Sequence, residues 1–223
     1  MSDLYFRTDL NIPEGLKIIQ DFGDFTVIEK PSGLLSVPGR TPDNQDCVTR
    51  RFRDLFADCI EQPAVHRLDW ETSGLLVLTK TREAHRALSI QFQDRFVQKR
   101  YIAVVDGIVL EQEGRIELPF RLDVDNRPYQ IYDEVYGKIG VSLWKNLGIE
   151  NQQTRIEYTP LTGRTHQLRL HSAHAKGLGF PIVGDGLYGT GKKANELKLH
   201  AAFLSFLNPK TQDRVEIHSP APF

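Results

Sequence analysis

Cysteine is nearly absent: Cys47 and Cys59 are the two thiols in 223 residues. They lack a CxxC spacing and a neighbouring histidine cluster, so neither a disulfide framework nor a thiolate zinc centre is supported, and free thiols are expected. Long apolar runs are missing too. No stretch reaches the roughly 18 uncharged apolar residues that a membrane-crossing helix requires. Asp3, Arg7 and Asp9 occupy the N-terminus where a signal peptide would carry its apolar segment. A cytoplasmic protein with no membrane partner is expected. With 17 glycines and 12 prolines, the chain has none of the enrichment of collagen-like or disordered sequences. What remains is an ordinary globular composition, 40% hydrophobic and 26% charged, with a length that suits one large domain or two small ones.

An excess of positive charge is also lacking, since the net charge is −1. The sum conceals segregation. Residues 80 to 100 carry Lys80, Arg82, Arg86, Arg95, Lys99 and Arg100 against Glu83 and Asp94, a local excess of +4. Residues 160 to 200, with Arg164, Arg169, Lys176, Lys192, Lys193 and Lys198, show the same excess of +4, while residues 105 to 135 sum to −5. Two basic segments on one face would bind phosphates; on separate faces they are solvated helix surfaces.

Patterning predicts more strands than helices. Phe25 to Glu29 is β-rich and stops at the turn signal Lys30-Pro31-Ser32-Gly33. Leu34 to Arg40 reads as an extended loop, Cys47 to Cys59 has apolar residues at helical spacing, and Leu75 to Leu78 is a short buried strand. Thr81 is placed to cap a helix running to about Phe96. Further strands are predicted at Tyr101 to Val105, Arg115 to Leu118, Tyr129 to Val135, Thr154 to Tyr158, Leu199 to Phe206 and Arg214 to His218, with a helix from Thr165 to Ala175. Tyr136 to Gln153 reads as a long loop or insertion. Regular strand-helix-strand alternation is absent, so the expected fold class is α+β, a largely antiparallel mixed sheet with flanking helices.

Three motifs tempt and fail. Gly184 to Gly189 satisfies G-x-G-x-x-G, but too little chain follows for a dinucleotide fold. Gly186 to Lys193 misses the phosphate-loop pattern because Lys193 stands where a magnesium-binding Ser or Thr is needed. A glycine-rich turn is the better reading. His166, His171 and His174 have neither metalloprotease spacing nor a nearby acidic or thiol ligand, and they read as satisfied or solvent-facing side chains.

The segment His66-Arg67-Leu68-Asp69-Trp70-Glu71-Thr72-Ser73-Gly74 sets Arg67 and Asp69 in a polar loop just before a buried strand, where chemistry is commonly placed. An Arg-x-Asp pair alone reads more simply as a local salt bridge. Extended to HRLDWETSGLLVL, the segment resembles the catalytic motif of the RluA family of RNA pseudouridine synthases. Lys30 to Arg40 (KPSGLLSVPGR) is similar to that family's first motif, Lys99-Arg100-Tyr101 to its K-x-Y, and Gly163 to His171 (GRTHQLRLH) to its third motif. The four occur in order, the similarity runs from about residue 21 to about residue 220, and the first motif points to the short, dual-specificity RluA branch.

The resemblance implies a single catalytic domain over residues 1–223 without a separate N-terminal RNA-binding domain, no cofactor and no metal, and an RNA partner. A monomer is expected. It implies catalytic roles for Asp69, Tyr101 and Arg169: Asp69 as the catalytic carboxylate, Arg169 as the cation paired with it, and Tyr101 stacked on the target base. Leu168 is implied on the base's other side. Arg67 is implied to fill the position that a flipped uridine vacates, while His66 helps to hold the loop. Ribosomal RNA and a transfer-RNA anticodon stem-loop are the implied substrates. Two other readings stay open: a non-catalytic RNA-binding module on the same scaffold, and a nucleotide hydrolase built on Gly184 to Gly191.

Overall fold

The computed structural model describes residues 16–191 and 196–223. Lys192 and Lys193 of the second basic segment lie outside the described residues, as do Asp3, Arg7 and Asp9. In chain order the first elements are β1 (Lys17–Asp21), β2 (Phe25–Lys30), α1 (Val48–Leu55), β3 (Ser73–Thr79) and α2 (Arg82–Gln93). Next come β4 (Gln98–Val105), β5 (Glu113–Leu122), β6 (Gln130–Tyr132), β7 (Lys138–Glu150) and β8 (Gln153–Pro160). The last are α3 (Gln167–Ala173), β9 (Leu199–Leu207) and β10 (Arg214–His218). The chain divides into two compact units, one running to Gln98 and including Ala201–Pro220, the other comprising Lys99–His200 and Ala221–Phe223. The fold class is α+β, as the sequence predicts, and no described helix is long and apolar enough to cross a membrane.

In the first unit the strand order is β1-β2-β3-β9, with β10 beside β9. β2 and β3 pair antiparallel from Phe25↔Thr79 to Lys30↔Gly74. Alternate residues of a strand face opposite sides. Leu75 and Val77 join Ala84 and Leu88 of α2 in one core, while Leu76 and Leu78 are also fully buried and face the other way. A strand buried on both faces reads as a continuous apolar run, which is why Leu75 to Leu78 is legible. α2 begins where the sequence places its cap: Thr81 Oγ1 accepts from the Ala84 amide at 3.2 Å.

In the second unit the order is β4-β8-β7-β5-β6, and the pairings within it are antiparallel. Its core gathers Ala103, Ile116, Phe120, Trp144, Tyr158, Leu168 and Leu170. The loop expected over Tyr136 to Gln153 is corrected here. Most of it is β7, thirteen residues paired to β5 on one side and β8 on the other. The pattern misleads because the buried positions are Gly140, Ser142 and Trp144, whereas Ile139 and Leu143 are exposed. Small residues there make room for α3. A Cβ on Gly140 would lie 2.5 Å from the Phe120 ring and 3.1 Å from His171 Nε2.

Candidate active site

The first unit holds Arg67 and Asp69, and the second holds Tyr101, Leu168 and Arg169. Each group is set by interactions within its own unit.

In the first unit, the loop before β3 is fixed at almost every residue. His66 Nε2 accepts the Val77 amide at 3.0 Å, and its ring stacks on Phe92 of α2 at 4.3 Å, so this histidine holds the loop as the sequence implies. Leu68 is clasped by one hydroxyl: Ser36 Oγ accepts its amide at 3.0 Å and donates to its carbonyl at 2.7 Å. The Thr72 amide donates to the Asp69 carbonyl at 3.1 Å, closing a four-residue turn with half-buried Asp69 at its first corner. Ser32 Oγ donates to the Glu71 carbonyl at 2.6 Å, and the Gly33 amide to the Trp70 carbonyl at 2.9 Å.

Lys30 completes this clamp from the end of β2. It is fully buried, and its ammonium donates to the carbonyls of Pro31 (2.8 Å), Leu34 (2.6 Å) and Trp70 (2.9 Å). Three N–H donors thus meet three carbonyls. Burial lowers the Lys30 pKa from 10.5 to about 7, and the Asp69 carboxylate opposes that shift. Lys30, Ser32 and Ser36 are supporting residues whose roles emerge only from these contacts. Their signal is a lone lysine ending an otherwise buried strand, followed by hydroxyls in a turn. Arg67 stays exposed on the same loop.

In the second unit, Tyr101 lies on β4, opposite Tyr158 of β8. Tyr158 is fully buried, which pushes its hydroxyl pKa well above the usual 10.0. That hydroxyl shares a 2.6 Å hydrogen bond with Ser172, whose Oγ in turn donates to the Leu168 carbonyl at 2.8 Å, pinning α3 to the sheet. The N-terminal end of α3 is fixed by Gln167, whose amide donates to Val141 O and Ser142 Oγ and accepts from Thr162 Oγ1 and the Arg164 amide. Leu168 is buried between these anchors.

Arg169 is gripped by Asp185. Nε donates to Oδ2 at 2.8 Å and Nη2 to Oδ1 at 2.6 Å, with the two side chains 3% and 0% exposed. Asp185 Oδ1 also accepts the amides of Leu187 and Tyr188 at 2.8 and 2.9 Å, so the carboxylate folds the glycine-rich turn and holds the arginine at once. This turn is the segment that resembles nucleotide motifs. An aspartate between glycines signals such a side-chain-closed turn, but nothing local announces its partner 16 residues earlier. Of the three histidines, His166 Nδ1 lies 3.0 Å from the Tyr188 hydroxyl and His174 stacks on Tyr132. His171 departs from the expectation: it is fully buried against Phe120, both ring nitrogens lack a hydrogen-bond partner among the described residues, and burial lowers its pKa to about 4. Cys47 and Cys59 are free thiols.

Residues 24–174 match the family model described as RNA pseudouridylate synthase. The chain is 40% identical over 212 residues to the dual-specificity RNA pseudouridine synthase RluA of Pasteurella multocida, covering 93% of this chain and 94% of the relative. It is 37% identical over 212 residues to the protein of that name from Escherichia coli K12, with the same coverage of 93% and 94%. Among solved structures it is similar to human RNA pseudouridylate synthase domain containing 1, with a TM-score of 0.75 and 28% identity, covering 94% of this chain and 85% of that one. Human RNA pseudouridylate synthase domain containing 4 shares the fold, with a TM-score of 0.71 at 22% identity and coverage of 92% and 88%.

Proposed function

We propose, from the premise that the chain belongs to the RNA pseudouridylate synthase family and is an isomerase of that class, that it converts uridine to pseudouridine in hairpin loops of ribosomal RNA, transfer RNA or both. The reaction breaks the N-glycosidic bond, turns the retained uracil and joins its C5 to C1′ of the ribose, with no net oxidation or hydrolysis. It therefore needs an ionised carboxylate near the sugar and a flat surface for the loose base. Asp69 supplies the carboxylate in this reading, Tyr101 stacks on the base with Leu168 opposite, and Arg169 is the cation that the family resemblance pairs with Asp69. The observation that carries the site reading is the clamped turn: three main-chain carbonyls, those of Leu68, Trp70 and Glu71, are held by Ser36, Lys30 and Ser32, so Asp69 is presented on a fixed frame.

A stacked uridine cannot reach a carboxylate on the protein and must be flipped out, at a cost of a few kcal/mol. Arg67 takes the vacated position in this reading, since a planar guanidinium stacks and hydrogen-bonds together. The catalytic reading is favoured over a non-catalytic RNA-binding module, whose function would not need Asp69, Tyr101 and Arg169 together. We further propose that the protein acts as a cytoplasmic monomer. Loop nucleotides are already partly unstacked and cost less to flip, and A-form duplexes hide their base edges. Comparing kcat/KM on an isolated anticodon stem-loop, intact tRNA and a duplex that pairs the target tests this. The stem-loop should react nearly as well as tRNA and the duplex poorly; reaction of full-length RNA alone would refute hairpin recognition.

A further inference from the structure

Trp70 follows Asp69 directly and is 47% exposed, while Leu68 and Glu71 on the same loop are buried. Exposure here is not looseness. The indole Nε1–H donates to the Gly33 carbonyl at 2.6 Å, and the Trp70 carbonyl accepts from the Gly33 amide at 2.9 Å and from Lys30 Nζ at 2.9 Å. Gly33 adopts φ +79°, a conformation that favours glycine, so both its main-chain groups can face Trp70. A large aromatic ring is thus held in one orientation with much of its apolar surface left in water, and its one polar atom is already satisfied. Recognition by such a ring rests on its π face.

RNA bases present complementary π faces whatever their sequence, and stacking on a pre-oriented ring avoids ordering costs on binding. Flipping a uridine also strips its neighbour of a stacking partner. Arg67, exposed two residues before Asp69 on the same loop, is the side chain that the proposed function sets in the vacated position, so this loop meets the nucleotides that flank the target. We propose that Trp70 is a stacking platform for the nucleotide next to the target uridine. This rests on the reading that the substrate is an RNA loop.

The chain has two tryptophans, Trp70 and the buried Trp144, so intrinsic fluorescence reads the contact directly. Titration with a saturating stem-loop RNA should quench the exposed-tryptophan emission of the wild-type protein. The quench should vanish in Trp70→Phe, which keeps a π face and should retain RNA affinity within about threefold. Trp70→Ala should weaken binding about five- to one-hundred-fold, with the loss in kcat/KM falling mainly in KM. An unchanged Trp70 emission at saturating RNA overturns the inference, as does a Trp70→Ala defect confined to kcat. Should Trp70→Ala fail to fold, the wild-type and Trp70→Phe titrations decide. Wild-type pseudouridine formation, measured on the same RNA, separates this outcome from failure of the functional reading: an active enzyme whose Trp70 emission ignores RNA refutes only the platform.

Discussion

Replacing Asp185 with alanine should cost the second unit about 3–5 kcal/mol, the range for breaking a buried ion pair by removing one partner. The loss is large because the pair is buried: the two side chains are 3% and 0% exposed, and the guanidinium loses two charge-assisted bonds. The amides of Leu187 and Tyr188 lose their acceptor as well. Domains commonly have about 5–15 kcal/mol of stability, so this removes a large part of it. Removing both charges should be milder, because an apolar side chain needs no partner; Arg169→Met combined with Asp185→Ala should recover much of the lost stability while remaining inactive. Urea unfolding followed by Trp144 emission in a Trp70→Phe background reads the second unit, with the m-value checked for constancy. A loss below about 1 kcal/mol for Asp185→Ala, or a double variant less stable than the single one, would refute the reasoning.

His171 predicts an acid sensitivity whose sign is fixed. Its pKa falls from 6.5 to about 4 on folding, so between these values the unfolded chain binds the proton and the folded one does not. Stability is therefore lost as pH falls through this window, by about 3 kcal/mol in total. His171→Leu should flatten this part of the stability-pH curve, and equal slopes for variant and wild type would contradict it. Lys30→Met should cost the first unit about 2–4 kcal/mol, since three carbonyls lose a charged donor. Thermal unfolding checks this, and an unchanged midpoint would count against the clamp.

How much the sequence discloses depends on how local the cause is. β10 is found with its bounds intact, and the α2 cap is found at Thr81, because alternation and capping are written in adjacent residues. The active-site loop was legible for a different reason: its motif resembles a family's, although the Arg-x-Asp pair alone suggests only a salt bridge. β7 was hidden because its buried face uses Gly140 and Ser142 to admit α3, inverting the usual apolar-inside pattern. The grip of Asp185 on Arg169 and the reach of Lys30 to Trp70, 40 residues away, are long-range pairings that no window of sequence contains.

The central claim is that Asp69, presented by a rigid turn, carries the isomerisation. Its most direct test is Asp69→Asn, a nearly isosteric change that removes the ionised carboxylate and leaves the main-chain clamp in place. Tritium release from RNA labelled at uridine C5 reports turnover, and filter binding reports affinity. No detectable release is expected, with RNA affinity within a few-fold of wild type; substantial release by the variant would contradict a catalytic role for Asp69.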